Sequence, residues 1–157
     1  MSCFHYGKRL LETKFVHVFS NETAPLIPSF RNFIFYWIIF GIFVPIEIYN
    51  WRYNTFKKRS LPDSFLDIVL ILLFIFFELC NLYCHIQLRN LRVNKDGTLN
   101  KERKIPKGLF FDQVVCPNYT FEILSWMIFI CISWSIFTII FIIFGGSIMY
   151  IWGVGKR

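Results

Sequence analysis

The chain has 157 residues, of which 55% are hydrophobic and 20% aromatic, with 20 Phe and a formal charge of +7 at pH 7. Its apolar residues fall in runs separated by charged loops and its mean hydropathy is positive, which excludes an ordinary soluble domain and points to a polytopic membrane protein. Basic loops beside a bilayer account for the charge through topology and anionic headgroups, so nucleic acid is the weaker reading of it.

Five Cys match no metal-ligand spacing, so no metal and no disulfide framework are expected. Met1 to Leu10 contains His5, Lys8 and Arg9 and lacks the apolar core of a cleavable signal peptide. Residues 1–20 read as an amphipathic helix after Gly7, too charged to span. Leu10, Leu11, Phe15, Val16 and Val18 are its apolar surface, and Lys8, Glu12 and Lys14 the polar remainder. A polar break from Asn21 to Pro28 follows, and Ser29 is the predicted N-cap of a first membrane helix over residues 30–49. Within it Pro45 predicts a kink and Glu47 lies near the far interface. A short loop from Asn50 to Pro62 carries Arg52, Lys57, Lys58 and Arg59. Ser64 and Asp67 make a capping-box-like start to a second membrane helix, 65–91.

The end of that second helix breaks the pattern of a plain anchor. At 100° per residue Glu78, Asn81, His85, Arg89 and Arg92 fall within roughly 80° of one another, a stripe about 21 Å long. An acid, an amide and an imidazole descending into hydrocarbon require a partner or a wet cavity, which makes the stripe a candidate polar site. The two arginines at its mouth suit phosphate. The blander alternative is a helix end with snorkelling arginines and one satisfied His, with His85 pairing with Glu78 through an intermediary.

Residues 92–115 form a charged loop with turn signals at Asp96-Gly97 and Pro106-Lys107-Gly108. Pro117 suits the first position of a helix and places Asn118, Glu122 and Ser125 on one face, repeating the amide-and-acid motif of the second span. The apolar stretch from Phe121 to Trp152 would be about 48 Å long as one helix, against a hydrocarbon core of roughly 30 Å. Either it is a hairpin broken near Ser133-Trp134-Ser135, giving helices 118–134 and 135–153, or one span that breaks at Gly145-Gly146. With a hairpin, the N-terminal segment, the 92–115 loop and the C-terminus share one side, and the loop with Arg52, Lys57, Lys58 and Arg59 lies opposite. The excess of Lys and Arg then makes the first side cytosolic. The fold class expected is an all-α membrane bundle of about four transmembrane helices preceded by an amphipathic helix, forming a single domain over 1–157.

Three stretches carry a resemblance. KRLLETKFVHVFS (Lys8 to Ser20), NLYCHIQLRNLR (Asn81 to Arg92) and RKIPKGLFFDQVVCPNYTFEILSW (Arg103 to Trp126) occur in this order, and together they resemble the very-long-chain trans-2-enoyl-CoA reductases of the steroid 5α-reductase superfamily. The resemblance covers the catalytic membrane half of such enzymes. In the family further membrane helices and a ubiquitin-like domain precede that half, and a basic, Tyr-containing tail follows it.

What the resemblance implies is NADPH-dependent reduction of the 2,3 double bond of a long-chain enoyl-CoA, the last step of fatty-acid elongation, in a multi-pass protein of the endoplasmic reticulum. Other elongation enzymes are the implied partners. Tyr119 of CPNY and Lys8 of KRLLET correspond to catalytic positions, and Asn81, Arg92, Lys104, Asn118 and Glu122 to positions lining the NADPH site. The stripe adds His85 and Arg89 to the cofactor-binding candidates. The chemistry is coherent: hydride arriving at the β-carbon pushes charge onto the thioester oxygen, which an acid must stabilise or protonate. No GxGxxG is present, so a nucleotide would sit among membrane helices. Three alternatives stay open: a steroid or polyprenol reductase, a non-catalytic membrane component of an elongation complex, and a membrane methyltransferase. Taken alone, Tyr119 reads as an interface aromatic and Lys8 as a solvated lysine. The sequons at Asn21 and Asn118 fall on the expected cytosolic side, where neither would be glycosylated.

Overall fold

The computed structural model describes residues 1–18, 26–55, 65–94, 98, 100, 105–133 and 135–155. Lys104, the Ser64 cap, the Asn21 sequon and the Asp96-Gly97 turn lie outside the described residues. Among those described the chain is all-helical. The helices are α1 (Ser2–Phe15), α2 (Leu26–Phe33), a π-helical segment (Ile34–Phe43), α3 (Val44–Thr55), α4 (Phe65–Arg92), α5 (Pro117–Ser133) and α6 (Ile136–Val154). A 3₁₀ turn, Leu109–Asp112, precedes α5. It follows Gly108 at φ 98°, a left-handed backbone that glycine tolerates best. Two helices, α4 and α6, are long and apolar enough to cross a membrane, and Ile34–Tyr49 is a shorter apolar segment.

Helix α2, the π segment and α3 follow without a gap. The helix begins at Leu26, three residues before the expected cap at Ser29. Pro28 thereby falls in the first turn, where a backbone N–H would have no intrahelical acceptor anyway. Pro45 sits just beyond the π segment. It cannot bond to the carbonyl of Gly41 and its ring crowds that carbonyl, and a ladder widened from i−4 to i−5 immediately upstream relieves the clash.

The 121–152 stretch takes the hairpin geometry. Ser135 adopts an extended conformation (φ −98°, ψ 128°), and its hydroxyl accepts from Thr138 N at 3.1 Å as the N-cap of α6. A second cap comes from a distant part of the chain. The Glu47 carboxylate accepts the Ser135 hydroxyl, Ile136 N (2.8 Å) and Phe137 N (3.1 Å), placing negative charge at the positive end of α6. Helices α5 and α6 then return antiparallel, with Trp126 against Phe141 (5.1 Å between ring centroids) and Gly146 beside Ile123. The core of Phe40, Val44, Trp126, Phe129 and Phe141 lies between the π segment and this hairpin. The outer faces stay apolar: Leu72, Phe76 and Leu79 on α4 and Ile143, Phe144 and Ile151 on α6 are exposed, a distribution suited to lipid.

Candidate functional site

Helix α1 is built inside out. His5, Lys8, Arg9 and Glu12 recur at i, i+3, i+4 and i+7, the spacing normally reserved for a buried apolar stripe. His5 and Glu12 are 2% and 1% exposed, whereas Leu10 and Leu11 are 73% and 60% exposed. The apolar surface read for Leu10 and Leu11 thus faces outward, and Lys8 and Glu12 of the polar remainder turn into the fold. The reason lies in α4, which turns Glu78, Asn81 and His85 inward. A buried acid demands cations, and a leucine facing hydrocarbon loses nothing.

The resulting seam is closely bonded. His5 Nδ1–H donates to Glu78 Oε1 at 2.8 Å, and the Lys8 ammonium lies 2.7 Å from Glu78 Oε2. The same ammonium donates to Asn81 Oδ1 at 2.6 Å, approaches the Glu78 main-chain carbonyl at 3.3 Å and stands 3.4 Å from Glu12 Oε1. Its hydrogen bonds thus go to Asn81 Oδ1 and the Glu78 carbonyl, while the two carboxylate oxygens are held as ion pairs. Arg9 Nη1 is 3.0 Å from Glu12 Oε2, and His85 Nδ1 reaches that oxygen at 3.1 Å. From the other side of Asn81, Nδ2 donates to the main-chain carbonyl of Asn118 at 2.8 Å, so one amide ties α1, α4 and α5 together. Two cations, Lys8 and Arg9, balance two carboxylates, Glu12 and Glu78. This is the condition under which buried charges are tolerated.

Burial opposes ionisation of Glu12, but the bond from His85 and the charges of His85, Lys8 and Arg9 outweigh it and hold the carboxyl at about 2. Burial and the neighbouring His85 and Arg9 hold His17 below its ordinary value. Glu12, His17 and His85 also bring potential metal-ligand atoms within 4.8 Å of one another. Arg9 Nη1 stands 3.0 Å from Glu12 Oε2 and 3.5 Å from His85 Nδ1, so a cation already lies beside two of the three.

Asn81, His85, Asn118 and Glu122 are all buried, so the amide and acid motifs of α4 and α5 face one another. Glu78 and His85 are joined through two intermediaries, Lys8 and Glu12. Arg89 and Arg92 are exposed at the mouth of the stripe, where Arg92 Nη1 donates to Val18 O at 2.9 Å. Lys8, whose side chain is 9% exposed, lies at the centre of the seam. Tyr119 follows Asn118 in the first turn of α5 and is half-buried, with its main-chain N–H bonded to Cys116 O at 3.1 Å. Sequence reading missed His5, Arg9 and Glu12 as site residues. Their helical spacing with Lys8 was the available signal.

Comparison with known proteins adds the following. The 3-oxo-5-alpha-steroid 4-dehydrogenase family matches residues 22–156. The chain is 41% identical to the very-long-chain enoyl-CoA reductase of Dictyostelium discoideum, over 98% of this chain and 47% of that one. It is 39% identical to a probable very-long-chain enoyl-CoA reductase of Caenorhabditis elegans, over 98% and 49% respectively. Human polyprenal reductase is 30% identical over 78% of this chain and 40% of its own length. The chain spans about half the length of the enoyl-CoA reductases it matches. No solved structure matches it.

Proposed function

Since the chain belongs to the 3-oxo-5-alpha-steroid 4-dehydrogenase family, we propose that it is the membrane-embedded catalytic half of an NADPH-dependent reductase of long-chain trans-2-enoyl-CoA. The observation that carries this reading is the convergence of Lys8, Asn81 and Asn118 from three helices on one buried point. Its relatives' names supply the substrate class, and the polyprenal reductases, less identical over a shorter stretch, supply the alternative substrate. In this reading the chain crosses the endoplasmic reticulum membrane four times, through the α2 to α3 helix, α4, α5 and α6, with the site opening to the cytosol beside the other elongation enzymes.

The donor set fits a dinucleotide. Polarity is graded along α4, from the buried Asn81 and His85 to the exposed Arg89 and Arg92, over about 16 Å. Uncharged amide contacts suit a nicotinamide at the deep end, and guanidinium groups suit phosphates at the mouth. Asn118 and Glu122 complete the deep end from α5, and Lys104 belongs to the basic loop beside the mouth. Bound NADPH supplies the hydride that reaches the β-carbon. Lys8, fixed by Glu78 and Asn81, keeps positive charge where the thioester oxygen gains electrons, and Tyr119 delivers a proton to the α-carbon.

The test is NADPH absorbance with a long-chain trans-2-enoyl-CoA and the chain in lipid nanodiscs, with a polyprenal as the comparison substrate. Oxidation that falls by about 10²-fold or more in Tyr119→Phe supports the reading. Oxidation with polyprenal alone transfers the assignment to the alternative substrate, and absence of NADPH binding overturns it.

A further inference from the structure

The end of the seam gathers two imidazoles about one carboxylate. His85 Nδ1 lies 3.1 Å from Glu12 Oε2, and one ligand atom from each of Glu12, His17 and His85 lies within 4.8 Å of the others. The local backbone puts His17 there. Helix α1 stops at Phe15, and the Glu12 carbonyl accepts from both Val16 N (2.8 Å) and His17 N (2.7 Å), so the chain folds back over its own last turn. His17 is thereby carried past the helix end to the side where α4 presents His85, and the two rings meet edge to face at 4.9 Å. Because the three groups come from the end of one helix and the second half of another, no short motif marks them. Glu12 and His85 are fixed by burial, at 1% and 6% exposed, whereas His17 is half-buried on irregular backbone that can adjust.

The donor set decides which ion such a cluster would take. Calcium and magnesium prefer oxygen ligands, and a pair of imidazoles disfavours both. Two imidazoles and a carboxylate suit zinc, whose bonds of about 2.0–2.2 Å set neighbouring ligands about 3.3 Å apart in a tetrahedron. Glu12 Oε2 and His85 Nδ1, at 3.1 Å, are close to that spacing. A site this buried suits four ligands better than the six of ferrous iron. Arg9 is the competitor, with Nη1 3.0 Å from Glu12 Oε2, but its side chain is 34% exposed and long enough to swing out to the headgroups. Lys8 stands by the other carboxylate oxygen, 3.4 Å from Oε1, and need not move.

We propose that Glu12 Oε2, His17 and His85 Nδ1 form a zinc site in which the ion displaces the Arg9 guanidinium, takes water as its fourth ligand and clamps the end of α1 to α4. The proposal does not depend on the reductase reading.

The test uses the metal-free full chain in lipid nanodiscs, with cobalt(II) as the spectroscopic substitute for zinc. Cobalt should give the intense visible absorption of a tetrahedral ion, and one equivalent of zinc should abolish it. His17→Ala should weaken zinc binding by at least about 100-fold. His17→Cys should restore it and add a thiolate-to-cobalt charge-transfer band that the wild type lacks. Arg9→Gln should tighten binding by about tenfold, because the competing cation no longer occupies the site. Zinc should raise the unfolding midpoint of the wild type and leave that of His17→Ala unchanged. No tetrahedral band, equal zinc affinity in the wild type and His17→Ala, or weaker binding in Arg9→Gln overturns the proposal.

Discussion

The seam between α1 and α4 and the aromatic core between the π segment, α5 and α6 meet at Trp126. The Trp126 ring lies 4.7 Å from that of His5 on one side and 5.0 Å from that of Phe40 on the other. The seam is held by a few directional bonds among groups that cannot be buried singly, each satisfied only while its neighbours stay in place. The core is held by ring area spread over Phe40, Trp126, Phe129 and Phe141, where no single contact is decisive. A site that must hold polar groups in hydrocarbon needs the first kind of bonding, and it needs the second kind beside it to stay rigid. The two regions should therefore fail differently, and that difference can be measured.

The largest effect belongs to the seam. Glu78→Ala leaves His5 without its acid and Lys8 with only the more distant Glu12, and should lower stability by about 3–5 kcal/mol, read as an unfolding midpoint in detergent titration. Pairing Glu78→Leu with Lys8→Met should lose less than either substitution alone, because no buried charge is then left uncompensated. Equal or additive losses would show that the seam behaves like the core. Next comes pH. The Glu12 carboxyl, held at about 2 against an ordinary 4.5, is ionised in the folded chain. Its stabilisation is complete above about pH 5 and is lost as pH falls toward 2, so Glu12→Gln should flatten the acid limb of a midpoint-against-pH curve. In the core Phe141→Leu should lose less than about 1.5 kcal/mol with no change in pH dependence, since its neighbours can repack. The smallest effect is at the far cap, where Glu47→Gln removes charge but keeps an acceptor for the α6 N–H groups. A loss of about 0.5–1 kcal/mol in the same titration is expected.

What could be read from sequence divides along the same line. The α4 stripe was legible because acid, amide and imidazole at helical spacing inside an apolar run are anomalous wherever they occur. Pro117 likewise announced a helix that buries Asn118 and Glu122. Helix α1 was legible as a helix, but not which of its faces turns inward. Charges on an amphipathic helix look the same whether water or a buried acid receives them, and only the α4 groups decide which. Glu12 was thus read only as part of a polar remainder, and Arg9 was given no role in the site. The break at Ser135 could not be chosen over Gly145-Gly146 from composition, because the group that stabilises it, Glu47, is 88 residues away.

The inverted arrangement of α1 also bears on how the chain is made. Lys8 leaves the ribosome 70 residues ahead of Glu78, its nearest counter-ion. Until α4 has been synthesised, the α1 face bearing Lys8 and Arg9 has no dry place to go, and its leucines have no reason to leave the headgroups. A helix translated well ahead of α4 is therefore seated only after it, and the site closes late in the folding of this region.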